Sequence, residues 1–286
     1  MAPGTTSQHR SEAIRADPMK ERDCTEFLQW ALPRLGMRWA GFRRVRGQVC
    51  KRLGRRIAEL GLRDLEDYRA LLETHPEEWT RLDGLCRISI SRFYRDQGLW
   101  RTLERQVLPH LAERARTRGE GRLRIWSAGC ASGEEPYTLA LLFAFDAALG
   151  GCPREILATD ADPHLLERAR RACYPETSLR DVPDSWHIAF EPSGEEYCLR
   201  ADYRGPVRFL EQDIRHASPQ GRFDLILCRN LVFTYFETAL QAAIARRLAE
   251  RLETGGMILL GIHEALSESI PTLVQGRSWL YRKREE

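Results

Sequence analysis

Four short stretches of this sequence end in residues that suit a nucleoside-type ligand. The run LRIWSA leads into Gly129-Cys130-Ala131-Ser132-Gly133-Glu134-Glu135-Pro136, EILATD ends in Asp160, VRFLEQD ends in Asp213, and FDLILCRN ends in Arg229-Asn230. Gly129 and Gly133 at a strand-to-helix turn let backbone approach a bound molecule closely. A carboxylate closing the following strand can accept hydrogen bonds from ribose hydroxyls. Each signal has an ordinary alternative. The Gly129–Gly133 loop is neither G-x-G-x-x-G nor a P-loop with its lysine, and Asp160 could equally cap the helix that follows it. Four polar strand ends on one sheet edge favour the ligand over coincidence.

The elements that must hold these residues follow from hydrophobic period. Beyond Arg122, short apolar runs alternate with helical stretches: RLRIWSAG, PYTLALLFAFDAAL, REILATD, PHLLERARRA, VRFLEQD, FDLILCRN, ALQAAIARRLAERL and GGMILLGIH. Strand alternating with helix predicts an α/β fold with a doubly wound, Rossmann-like sheet. Before it, Phe27, Leu28 and Ala31, then Phe42, Val45, Val49, Leu53, Ile57 and Leu60 recur at three- and four-residue steps, which predicts a small all-helical N-terminal domain. The expected organisation is a disordered tail over 1–20, the helical domain over 21–98, a linking helix over 99–119 in which Pro109 is a candidate kink, and the α/β domain over 120–286. Within the last, 174–205 has turn residues and no clear period, as expected of an insertion and a candidate lid.

Bulk composition excludes more than it suggests. The 44 Lys+Arg against 41 Asp+Glu leave a formal charge of +3, which does not mark a whole-protein polyanion binder. The eight cysteines show no C-x-x-C pair and no metal-ligand spacing, so they read as scattered reduced thiols and no metal site is expected. The first residues lack the apolar stretch of a signal peptide and no run suits a bilayer span, so a cytoplasmic protein without membrane insertion is expected.

SISRFYRD from Ser89, RIWSAGCASGEEPYTLAL from Arg124, LATDAD with Asp160, CRN ending at Asn230, Tyr235-Phe236 and the late GGMILLGIHE occur in an order and spacing that resemble the CheR family, the methyltransferases of bacterial chemoreceptor glutamates. The resemblance runs from about Phe27 to Tyr281. It implies a class I methyltransferase domain using S-adenosylmethionine (SAM) and leaving S-adenosylhomocysteine. It further implies that Glu135 meets the methionine amino group, Asp160 the ribose, and Asp213 with Ile214 the adenine, with Gly129, Gly133, Arg229 and Asn230 lining the same pocket. Ser89 and Ser91 are implied cofactor contacts, and Arg95 and Tyr235 are implied to stand beside the transferred methyl, Arg95 against the incoming carboxylate. Departures lie on the substrate side. Ser89 and Ser91 replace the family's usual Asn and Thr, Tyr94 replaces a second Phe, Tyr235 lies one residue farther from Asn230, and Gly261-Ile262-His263-Glu264 replaces G-H-S-E. The insertion also lacks the glycine-rich loop that some members use to grip a receptor tail.

The implied chemistry is coherent, because a glutamate with a pKa of about 4.3 is already ionised at neutral pH and attacks a sulfonium methyl without a general base. Arg95 and Tyr235 also have bland readings: Arg95 paired with Asp96 or another acid, Tyr235 as packing. Between Arg34 and Ala58 stand nine Lys or Arg and no acid, and on one continuous helix Arg44, Lys51 and Arg55 would share the face opposite Phe42, Val49, Leu53 and Leu60. That face is either a solvated surface or, as the resemblance implies, a dock for acidic receptor helices. Nucleic acid is not expected, since no aromatic stacking platform accompanies the cations. The chain is expected to act as a monomer on a protein substrate, with two other readings open: the same cofactor site serving another protein or a small carboxylate, and a non-catalytic module that senses SAM or its product.

Overall fold

The computed structural model describes residues 21–119, 121–149 and 151–285, so the tail expected over 1–20 lies outside the described residues. The chain divides into two compact units, one of Leu35 and earlier residues with Phe42–Arg87, the other of Gly36–Gly41 with Ile88–Glu286.

The first unit is helical. Helix α1 spans Glu21–Ala31; α2 (Trp39–Phe42) straddles the division; α3 spans Arg46–Glu59, α4 Leu65–Thr74 and α5 Pro76–Cys86. Asp64 starts α4 by accepting the N–H groups of Glu66 and Asp67, and Pro76 occupies the first turn of α5, where its missing N–H costs nothing. Phe27, Leu28, Phe42, Val49, Leu53, Tyr68, Leu72 and Leu82 are buried between these helices. One buried polar group is fully met: Arg56 forks onto Glu78 through Nε (2.9 Å) and Nη2 (2.7 Å), and the Tyr68 hydroxyl donates to the same carboxylate (2.9 Å). Arg52 also turns inward, donating to the carbonyls of Leu85 and Arg87. The single basic helix expected from Phe42 onward is interrupted at Arg43–Val45. Arg44 therefore lies exposed in a turn ahead of α3, and of the three cations expected on one face only Lys51 and Arg55, four residues apart, share it.

In the second unit, α6 (Gln97–Thr102) runs through a five-residue π turn at Leu103–Val107 into α7 (Leu108–Thr117). The widened turn falls where Pro109 cannot donate to the turn before it, so the helix continues past the expected kink. The central sheet contains β1 (Leu123–Ala128), β2 (Arg154–Asp160), β6 (Val207–Glu211), β7 (Phe223–Cys228), β8 (Leu252–Leu260), β9 (Leu273–Arg277) and β10 (Leu280–Lys283), in the order β6-β2-β1-β7-β8-β10-β9. β6, β2, β1, β7 and β8 run parallel to one another, while β10 is antiparallel to both β8 and β9. Strands from β1 go both ways, so the chain reverses beside β1 and the carboxyl ends of five parallel strands share one edge. Helices α8 (Glu134–Phe145), α9 (Pro163–Arg171) and α12 (Thr238–Arg251) connect them, and Ile125, Leu139, Leu142, Ile156, Leu225 and Leu259 are fully buried.

Residues 174–205 are not the aperiodic excursion expected. Strands β3 (Cys173–Pro175), β4 (Phe190–Ser193) and β5 (Glu196–Leu199) form a three-stranded antiparallel sheet in the order β3-β5-β4, with a one-turn helix α10 (Glu176–Leu179). Strands of three and four residues are too short for an alternation to stand out in the sequence.

The cysteine expectation is corrected for four of eight positions. Cys24 bonds Cys50 and Cys173 bonds Cys198, while Cys86, Cys130, Cys152 and Cys228 are free. The pairs are 26 and 25 residues apart and formed by folding, across α1 and α3 and across directly opposed residues of β3 and β5, so no short motif announces them. Closing loops of that length is worth about 3 kcal/mol each. Cys24→Ser should lower the urea-unfolding free energy of the oxidised protein by about that much and change little in excess reductant; equal unfolding of the parent with and without reductant would contradict it. Among the described residues no helix is long and apolar enough to cross a membrane.

Candidate functional site

At the shared strand edge the loop after β1 turns through Gly129, Ala131 and Gly133, whose φ values are +75°, +48° and +92°. The loop is tied to the neighbouring strand: the N–H groups of Gly129 and Cys130 donate to the Thr159 carbonyl at 2.8 and 2.9 Å. A Cβ on Gly133 would stand 2.9 Å from the Ala169 Cβ, so that glycine is required for α9 to pack onto the loop as well as by its φ. Asp160 accepts the Ala131 N–H (2.9 Å) at one oxygen and the Asp162 N–H (3.0 Å) at the other. The helix cap is Asp162, which accepts from His164 and Leu165, so the capping alternative for Asp160 falls away.

Glu135, on the first turn of α8, accepts the Ser127 hydroxyl (2.8 Å) and the Arg229 Nη1 (3.1 Å). Burial pushes its carboxyl above the usual range, against the opposing pull of Arg229 and Ser127. Arg229, at the end of β7, has a side chain only 4% exposed and also donates through Nη2 to Asp96 (2.6 Å) and to the Arg95 carbonyl (3.3 Å). Its guanidinium lies 5.3 Å from the Trp100 ring centre. Arg229 was read as lining the ligand pocket; the structure shows its cation committed between Glu135 and Asp96, holding the first in place. The sequence offers Asp96 only as a partner for Arg95 and does not single out Ser127, because only the third dimension brings them to Arg229 and Glu135.

Arg95 is the cation left over. Its neighbours Tyr94 and Asp96 both adopt left-handed backbone, φ +54° and +66°, a conformation that costs non-glycine residues about 1–3 kcal/mol and recurs at functional sites. Its carbonyl is gripped by the Trp100 indole N–H (2.7 Å) as well as by Arg229, while its side chain donates to the Ile90 carbonyl (3.0 Å). Among the described residues no carboxylate pairs with Arg95, and Asp96 is taken by Arg229, so the bland reading of an Arg95–Asp96 pair is wrong. Tyr235, at the end of α11 (Val232–Tyr235), lies within the electrostatic reach of Arg95: burial pushes its phenol up and the Arg95 charge pulls it back. Glu264 adds to the upward push.

Ser91 lies beside the Glu134 carboxyl, which burial pushes above the usual range, and one Glu134 oxygen, Oε2, has no hydrogen-bond partner. Ser89 is half-buried nearby in sequence, with no contact to set it apart. Asp213 is held by a fork from Arg215, whose Nε and Nη2 donate at 3.0 and 2.6 Å to Oδ2, and by the Arg215 N–H. Burial would raise its carboxyl, but those Arg215 bonds hold it below the usual range. Ile214 is buried, and Arg247 donates to its carbonyl (2.5 Å). The Gln212 Oε1, between the ends of β6 and this turn, is a buried acceptor without a donor. Asn230 has left-handed backbone, φ +54°, and its N–H is taken by Glu264 (2.7 Å). Glu264 was noted only as the end of a motif.

These residues fit SAM. Carboxylates at the end of β2 and in the first turn of α8 offer acceptors for ribose hydroxyls and an ammonium group, a glycine-bearing loop admits close backbone approach, and buried Gln212 and Glu134 oxygens stand without donors. Residues 89–278 match the family model described as CheR methyltransferase, SAM binding domain, and 45–82 match CheR methyltransferase, all-alpha domain. The chain belongs to the CheR methyltransferase family. It is 37% identical to the chemotaxis protein methyltransferase of Listeria monocytogenes over 184 residues, 64% of this chain and 68% of that one. It is 32% identical to that of Escherichia coli over 233 residues, 78% and 77% of the two chains, and 30% identical to that of Klebsiella aerogenes over 266 residues, 88% and 86%. Its second unit is thus a CheR catalytic domain with SAM as cofactor, and both the enzyme class and the α/β fold expected from the sequence hold.

Proposed function

We propose that this chain transfers a methyl group from SAM to glutamate carboxylates of a chemoreceptor or a related sensor protein. The single observation that carries the substrate side is Arg95, a cation on a pinned backbone, unpaired with any acid among the described residues and within electrostatic reach of Tyr235. A half-buried guanidinium whose fork carries no carboxylate of its own is available to an incoming anion.

In this reading Asp160 binds the ribose, Glu135 the methionine amino group, and Asp213 with Ile214 borders the adenine, with Gly129, Gly133 and Asn230 shaping the pocket and Ser89 and Ser91 touching the cofactor from the other side. Bound SAM supplies an electrophilic methyl on a sulfonium. Arg95 clamps the incoming carboxylate with a two-pronged fork, which orients one oxygen and holds the other. Tyr235 donates one further hydrogen bond and excludes water from the methyl. No group of the protein has to take a proton, since the glutamate arrives ionised; placement and charge do the work. The exposed Lys51 and Arg55 of α3, with Arg44 in the turn before it, offer cations to an acidic helical partner.

The cofactor half has its own test. Asp160→Asn keeps the shape and removes the charge, and calorimetric titration with SAM should show binding weakened by about tenfold or more, since hydrogen bonds to charged groups contribute about 1.5–3 kcal/mol. Unchanged affinity would remove Asp160 from the ribose site.

A further inference from the structure

Tyr235 ends a helix of only four residues, α11, which has too few hydrogen bonds of its own to define a position. Side chains and backbone from two distant stretches hold it instead. Glu264, 6% exposed just beyond β8, accepts three hydrogen bonds: from the Thr234 hydroxyl (2.6 Å) at Oε1, and from the N–H groups of Asn230 (2.7 Å) and Gly261 (2.8 Å) at Oε2. It therefore joins the ends of β7 and β8 to the residue next to Tyr235.

The second anchor comes from Gly36–Gly41, six residues that lie in sequence inside the helical region yet belong to the methyltransferase unit. Arg38 donates through Nε to the Thr234 carbonyl (3.1 Å) and through Nη2 to the Phe233 carbonyl (2.5 Å), and its own N–H donates to the Tyr235 carbonyl (2.8 Å). Three successive carbonyls at the carboxyl end of α11, where a cation is electrostatically favoured, are thus taken by one residue. Met37 bridges Phe236, Glu237 donates to the Gly36 carbonyl (2.8 Å), and a Cβ on Gly41 would collide with the Thr234 carbonyl. Arg38 faces no carboxylate among the described residues, so its guanidinium is spent on this backbone.

We propose that Arg38 and Glu264 are positioning residues for Tyr235, a two-sided clamp that sets the phenol relative to Arg95. The proposal rests on the reading that Tyr235 borders the transferred methyl, and it separates from it in the test. The full-length chain is labelled with 3-fluorotyrosine at its eight tyrosines, and Tyr235→Phe identifies the Tyr235 resonance in the fluorine spectrum. In Arg38→Ala, Arg38→Lys and Glu264→Ala the Tyr235 resonance should move or broaden while the other seven stay. The kcat of these variants should fall by about ten- to a hundredfold, as expected for a misplacement of about 1 Å. In a Tyr235→Phe background the same changes should cost little more. An unmoved Tyr235 resonance overturns the clamp, as do all eight resonances moving together in Arg38→Lys as well as Arg38→Ala, or full additivity with Tyr235→Phe. A moved resonance with a fully active Tyr235→Phe keeps the clamp and removes Tyr235 from the reaction.

Discussion

Changing Arg95 to alanine should lower kcat for methyl transfer by about 10²- to 10³-fold, the usual loss when a preorganised donor to a reacting oxygen is removed, and leave the fold intact. The asymmetry comes from how the residue is held. Its backbone is fixed by Trp100 and Arg229, which the substitution keeps, while its side chain makes a single hydrogen bond to the Ile90 carbonyl, worth about 1 kcal/mol. Thermal unfolding should therefore shift by only a few degrees, roughly the change that about 1 kcal/mol produces. Arg95→Lys keeps the charge but loses the fork, so it should recover part of kcat and little of the orientation. A fully active Arg95→Ala enzyme would remove Arg95 from the carboxylate site. A variant that loses activity because it unfolds would show that the left-handed Tyr94–Asp96 segment depends on that guanidinium.

Arg229→Ala should have the largest effect on stability of any single change in the site, about 3–5 kcal/mol, because it strands two carboxylates in a buried place. Glu135 and Asp96 face the same guanidinium at 3.1 and 2.6 Å, and the Arg229 side chain is 4% exposed. The pH dependence has a definite sign. Burial already raises the Glu135 carboxyl in the intact site, and losing its cation raises it further. A carboxyl whose folded pKa exceeds its unfolded value, ordinarily about 4.3, stabilises the fold most when protonated, and that stability is lost as pH rises through the folded value. The urea midpoint of Arg229→Ala should therefore fall furthest near pH 8 and recover toward pH 5. A variant destabilised equally at both would contradict the buried triad. SAM affinity should fall with it, as Glu135 loses the partner that orients it.

Much of this site is legible in the amino-acid sequence. The strands LRIWSA, REILATD and FDLILC are rich in apolar residues because a parallel strand is covered on both faces, and Asp160 and Arg229 stand at the carboxyl ends of two of them. What stayed hidden depends on contacts between residues far apart in sequence. The Arg229–Asp96 pair spans 133 positions, and the Glu264–Asn230 bond 34. The Cys24–Cys50 and Cys173–Cys198 bonds leave no spacing that separates them from free thiols. Strand β9 has one buried residue in five, too little alternation to mark it. The turn at Arg43–Val45 sits within a stretch whose apolar steps continue the helical period, so Arg44 appeared to share a face it does not occupy.

Arg38 shows the same limit from the other side. Counted among nine basic residues it looked like surface charge, yet its guanidinium lies on the backbone of α11. Composition registers a cation; only the fold says what it is neutralising.

Glutamate methylation by this CheR chain is tested by incubating the purified protein with methyl-labelled SAM and chemoreceptor cytoplasmic fragments and scoring base-labile label. Methyl esters are expected on receptor glutamates, abolished by Arg95→Ala and absent from fragments whose acceptor glutamates are changed to alanine. Tight SAM binding with no base-labile ester on any receptor fragment would contradict it.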